Sequence, residues 1–144
     1  MRTPDLGMLS TRLLFGLQSE LFRRSAEEGF DDIRPRHGAV TAYLDEDGLR
    51  LTDLTRLSGR NKQTIGAILD ELEKLGYVKR VADPEDRRAK LIVPTERGLR
   101  LTALADAIVA DIEREYAAKV GADAYERFLQ TLALITEDVP GRLE

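Results

Sequence analysis

Five consecutive polar residues, Arg60, Asn61, Lys62, Gln63 and Thr64, open an apolar-striped segment that runs to Leu75. Arg60 and Lys62 can neutralise phosphates or donate to guanine. Gln63 can pair with the acceptor and donor of adenine, and Thr64 suits a phosphate or a thymine methyl. Asn61 is a good N-cap, and a helix starting there adds its own preference for phosphate. A second cluster, "DPEDRRAK" over residues 83–90, lies between the apolar runs "YVKRV" and "LIVPT". Arg87 and Arg88 on a tight turn can enter a minor groove, where narrow A·T tracts concentrate negative potential. The acids beside them repel phosphate and so need a reason. A carboxylate two residues before an arginine can hydrogen-bond its guanidinium, and on that reading Asp86 holds the aim of Arg88. The plain alternative for both clusters is a solvated surface, where an exposed ion pair contributes about 0–1 kcal/mol.

Other chemistries find little support. The chain has no cysteine and a single histidine, His37. Disulfides and thiol-based redox sensing by this chain are excluded, and a zinc site lacks its usual ligands. Asp45, Asp83 and Asp86 sit on turns beside arginines, with no nucleophile–base pair and no glycine-rich phosphate loop. No catalytic residue, cofactor or metal is expected. His37, between Arg36 and Gly38 and close to Arg34, is a candidate to line an anion or phenolate pocket. The plainer reading is a surface or half-buried histidine.

These residues need elements to position them. Asn61 caps a helix with Ile65, Ile68, Leu69, Leu72 and Leu75 on one face and Gly76 at its end. A short helix over about Thr52–Leu57 precedes it across the turn signal Ser58-Gly59, giving helix-turn-helix proportions. A hairpin follows, about Tyr77–Ala82 and Ala89–Val93, with the charged cluster as its tip. A charged hairpin directly after the second helix is a wing. Upstream, Leu6, Leu9, Leu13, Leu17 and Leu21 mark a helix over residues 5–27, and Pro35 opens another that runs to about Leu44. Downstream, Thr95 caps a long helix that Gly121 breaks, and a last helix covers about Ala122–Glu137 with Pro140 beyond it.

The fold class expected is mainly α with a small β-hairpin, as one domain over residues 1–144. About 35–98 form a winged helix-turn-helix lobe, and about 5–34 and 99–144 form helices for dimerisation. The terminal helices carry more apolar surface than one small lobe needs, with Tyr125, Phe128, Leu129 and Leu132 prominent at the far end. Two copies packed through them make a two-fold dimer, able to place two recognition helices about 34 Å apart, one turn of DNA. Net charge is −4, yet residues 56–100 hold eleven Lys/Arg and seven Asp/Glu, a basic middle between acidic ends. No apolar run approaches the roughly 18 residues that span a bilayer. The start "MRTPDLGMLS" has no signal-peptide core, so a cytoplasmic protein with no membrane partner is expected.

At this point the chain resembles the MarR family of winged-helix transcriptional regulators. "LTDLTRLSGRNKQTIGAILDELEKLGYVKR" followed by "DPEDRRAKLIVPTERG" carries the resemblance, most tightly over residues 52–98. The resemblance implies a homodimer built from the first and last helices. It implies repression or activation at a short palindromic operator in double-stranded DNA. It places the fourth helix in the major groove and Arg88, supported by Asp86, in the minor groove. It further implies a small, often phenolic, organic effector held between the dimerisation helices and the DNA-binding lobe. The competing expectation is a winged-helix protein-interaction module that binds no DNA, which the overall acidity favours.

Overall fold

A computed structural model describes residues 1–139; Pro140 lies outside the described residues. Six helices and a three-stranded sheet follow in chain order. Helix α1 spans Leu6–Glu27, with the Asp5 carboxylate accepting from the Met8 N–H at its start. A 3-10 turn, Pro35–His37, leads directly into α2, Gly38–Thr41. The single helix expected over 35–44 is thus a tight turn plus one α turn, whose last backbone bond reaches Leu44. The tightening has a local cause. The Nδ1 of His37 accepts from the Arg34 N–H at 2.9 Å, pulling the first turn closed behind Pro35.

Strand β1, Leu49–Arg50, runs straight into α3, Leu51–Ser58. Gly59, at φ 68°, makes the left-handed turn into α4, Lys62–Lys74. Only a residue without Cβ adopts that backbone cheaply, which explains the Ser-Gly signal. Strands β2, Val78–Ala82, and β3, Lys90–Pro94, form the hairpin. Helix α5 spans Glu96–Val120 and α6 spans Ala122–Thr136. The sheet order is β1-β3-β2, antiparallel throughout, with Leu49 opposite Ile92 and Arg80 opposite Ile92 on the other side.

The core sits in the lobe. Val40, Leu54, Ile65, Leu69, Leu72, Tyr77 and Ile92 are almost wholly buried, with Leu101 of α5 closing the cluster. Burying each such side chain stabilises the lobe by about 1.5–3 kcal/mol. Helix α5 buries Leu101, Ile108 and Ile112 along its inner face and packs on both α1 and α6. Helix α6 buries no residue at all, although Phe128, Leu129, Leu134 and Ile135 lie along it.

Candidate nucleic-acid interface

The first turn of α4 is built to be presented. Asn61 Oδ1 accepts from the Thr64 N–H at 2.8 Å, the N-cap bond expected of asparagine. Ile65, Ile68, Leu69 and Leu72 anchor the helix in the core, while Arg60, Asn61, Lys62, Gln63 and Thr64 are all exposed. The five sequence candidates thus stand together on one open helix end.

The wing tip differs from its expected design. Asp83 is not part of the exposed charge cluster: it is 4% exposed and accepts from Arg50 Nε at 2.6 Å. Its other oxygen accepts from the Glu85 N–H at 2.9 Å. That backbone bond first, and the Arg50 guanidinium second, hold the Asp83 carboxyl below its usual range. Asp86 likewise accepts the backbone N–H of Arg88 at 3.0 Å. No ion pair joins Asp86 to the Arg88 guanidinium among the described residues, which corrects the mode of support expected for it. Both aspartates close turns on the N–H two residues ahead, a local bond for which aspartate is favoured. Arg87 and Arg88 are left exposed at the tip.

The wing is tied to strand β1 and to α4. Arg50 of β1 reaches Asp83 at the wing root. Arg80 of β2 reaches Asp70 at 2.8 Å and Glu73 at 3.0 Å, both on α4. Strand β1 itself pairs with β3. Helix α4 and the wing are therefore joined through β2, and the wing through β1 to α3.

His37, the ligand candidate, is 1% exposed and both of its ring nitrogens are engaged inside the protein. Because Nδ1 accepts a backbone N–H, the proton of the neutral ring lies on Nε2, which donates to Glu71 of α4 at 2.7 Å. Arg36 donates to the same Glu71 oxygen at 2.9 Å. The His37 bond, and then the Arg36 bond, lower the Glu71 pKa. His37 ties the turn before α2 to α4, with both ring nitrogens engaged in that tie.

A cluster that sequence inspection missed lies behind the interface. Arg97 stacks its guanidinium 4.2 Å from the centre of the Tyr77 ring and pairs with Asp32 at 3.1 Å. It also donates to the Leu75 carbonyl at the end of α4, and the Tyr77 hydroxyl donates to Asp32. Burial pushes the Tyr77 phenol up, helped by the hydrogen bond to Asp32 and then by the Asp32 charge. For Asp32, burial acts upward, but the Tyr77 and Arg97 hydrogen bonds outweigh it and leave the carboxyl low. Gly98 packs where any Cβ would overlap the Tyr77 carbonyl oxygen. The quoted "TERG" therefore holds a cap in Thr95, an anchor in Arg97 and an obligatory gap in Gly98.

Between α1, the 33–45 segment and α5 lies a cavity of about 500 Å³. Leu21, Phe22, Ile33, Leu44 and Leu101 supply much of its wall, and His37 is not among the lining residues.

Residues 32–89 match the model of the MarR family. The same architecture recurs over nearly the whole chain in the transcriptional repressor CouR bound to a 23-mer DNA duplex, with a TM-score of 0.74. That match has 26% identity and covers 92% of each chain. Residues 32–89, which hold α4 and the tip of the wing, are thus similar to the MarR family. The chain has the winged-helix fold of DNA-binding transcription regulators. CouR from Rhodococcus jostii RHA1 bound to p-coumaroyl-CoA gives a TM-score of 0.72 at 27% identity, over 97% of this chain and 96% of that one. The transcriptional regulator HosA of Escherichia coli O111:H- is 26% identical over 100 residues, 69% of this chain and 74% of HosA. Among the described residues no helix is long and apolar enough to cross a membrane.

Proposed function

We propose that this chain acts as a homodimeric repressor of a short palindromic operator, working in the cytoplasm and released by a small organic effector. The observation that carries the reading is the joint presentation of Arg60–Thr64 and of Arg87 and Arg88 on one lobe. In each protomer Lys62, Gln63 and Thr64 face the major groove, with Arg60 and the free amide of Asn61 on phosphates. Arg87 and Arg88 track the adjacent minor groove, and Asp86 supports them by shaping the turn.

Dimerisation through residues 5–34 and 99–144, outside the 35–98 lobe, is supported by the apolar side chains that α1 and α6 leave uncovered. Leu6 is 76% exposed, Phe15 63% and Leu134 72%. A two-fold pair through these helices matches a palindrome. CouR, seen bound to DNA and to p-coumaroyl-CoA, supports an organic effector for this fold, and the cavity between α1 and α5 offers it room. Fluorescence anisotropy of a labelled duplex from upstream of the protein's own gene, with excess competitor DNA, tests the reading. Tight binding that Arg88→Ala weakens is the expected result. Equal affinity for any duplex of that length overturns the operator.

A further inference from the structure

The exit of α4 is clasped by the start of α5. Three successive carbonyls at that exit accept from residues 95–97. Leu75 accepts from the Arg97 guanidinium, Gly76 from the Thr95 hydroxyl, and Tyr77 from the Thr95 N–H at 3.0 Å. The Thr95 oxygen also accepts from the Gly98 N–H at 3.1 Å, so one hydroxyl caps α5 and holds the end of α4. Gly98 itself lies against the Tyr77 carbonyl, closer than any Cβ allows. Arg97 then brings in a third helix. Its guanidinium stands 4.2 Å from the centre of the Tyr77 ring and 5.9 Å from that of Phe30, and it pairs with Asp32 in the chain leaving α1. The ends of α1, α4 and α5 thus converge on one side chain. Two turns further along α5, Ala105 and Asp106 line the cavity that opens between this helix and the lobe.

Building on the homodimer and palindrome read above, we infer that Arg97 is a positioning residue: it fixes the angle between α4 and α5, and with it the separation of half-sites that the dimer accepts. The clasp is at the C-terminal end of α4, and the residues that read DNA are at the other end. Helix α4 has 13 residues and so is about 20 Å long. A rotation of about 10° at the clasp swings the reading turn through about 3.4 Å, one base-pair step. In a dimer joined through α1, α5 and α6 the two reading turns move together, so a slack clasp blurs the spacing. Arginine suits the post because its planar fork can meet a carbonyl, a ring face and a carboxylate at once, which a lysine ammonium cannot. Arg97 touches no base in this scheme; it acts through α4.

The test is a binding selection from a pool of randomised duplexes with the full chain, as wild type, Arg97→Lys and Asp32→Asn. Arg97→Lys keeps the charge, so attraction to phosphate is unchanged. Circular dichroism and light scattering confirm that each variant is folded and of wild-type size; if Arg97→Lys does not fold, Asp32→Asn decides. Wild type is expected to recover one half-site, inverted and repeated at a single separation. The variants should recover the same half-site with separations spread over neighbouring values. The preferred separation should lose about tenfold of its advantage over those one base pair longer or shorter, the scale of one hydrogen bond to a charged group. Variants that keep the wild-type separation as sharply as wild type overturn the inference. Variants that change or lose the half-site itself overturn it too, because Arg97 then shapes the reading turn and not its spacing. If wild type recovers no paired half-sites, the palindromic operator falls, and the inference with it.

Discussion

At the tip of the wing, the acids beside Arg87 and Arg88 act through the backbone. Asp86 holds the Arg88 N–H, so its carbonyl-type oxygen matters and its charge does not. Asp86→Asn keeps an acceptor and should bind operator as well as wild type or slightly better, while Asp86→Ala should bind less well. Equal losses for both, measured by anisotropy, would restore the ion-pair role. Arg88→Ala should cost about 1–3 kcal/mol, chiefly at A·T-rich flanks. Gln63→Ala should change base preference in a binding selection and leave the salt slope alone, since glutamine carries no charge. The Asp32 and Asp83 carboxyls have lowered pKa values in the folded chain. Groups of that kind stabilise the fold above the unfolded aspartate pKa and lose that contribution as pH falls through the depressed folded value. Thermal stability should therefore decline as the medium is acidified below about pH 4. Replacing Asp32 by Asn should flatten the decline.

Among the elements, α4 and the hairpin were legible because their signals are local. Asn61, the spacing of Ile65, Ile68 and Leu72, and Gly76 each speak within one turn of the chain. Strand β1 was not legible, because two residues carry no periodicity and its partner Ile92 lies far along the sequence. The same distance hid Arg50 with Asp83 and Arg97 with Tyr77 and Asp32: charge in a sequence looks solvated until a remote partner buries it. His37 was misjudged for that reason too, since Glu71 stands 34 residues away. The second helix was overextended because Pro35 marks a start but says nothing about how tightly the first turn closes. Gly98 offers the sharpest check at this scale. Its substitution by Ala forces Cβ against the Tyr77 carbonyl and should destabilise the protein by about 1–3 kcal/mol. A melt of Gly98→Ala that matches wild type would show that β2 and α5 can part without cost.

For the whole molecule, the basic middle of the sequence overstates what DNA can use. Of the eleven Lys/Arg in residues 56–100, Arg56, Arg80, Arg97 and Arg100 are paired with carboxylates within the chain. Seven remain in each protomer, and each phosphate neutralised adds about 0.9 to the slope of log K against log salt. The slope should therefore be no steeper than about −6 per protomer, and a steeper one would mean the internal pairs open on DNA. Leu129→Glu, on the uncovered face of α6, should yield a monomer by light scattering and abolish operator binding while the lobe stays folded.

Helix α6 buries none of its side chains within its own chain. In the proposed dimer a second copy supplies its cover, and mass action then enters the lifetime of the protein. A newly made chain at low abundance would expose α6 to proteases until it met a partner. Scarce regulator would be cleared faster than plentiful regulator, so the level of the protein would respond more than proportionally to its rate of synthesis. Pulse-chase half-lives that lengthen with expression level, and a Leu129→Glu chain that turns over fast at every level, would be the signature.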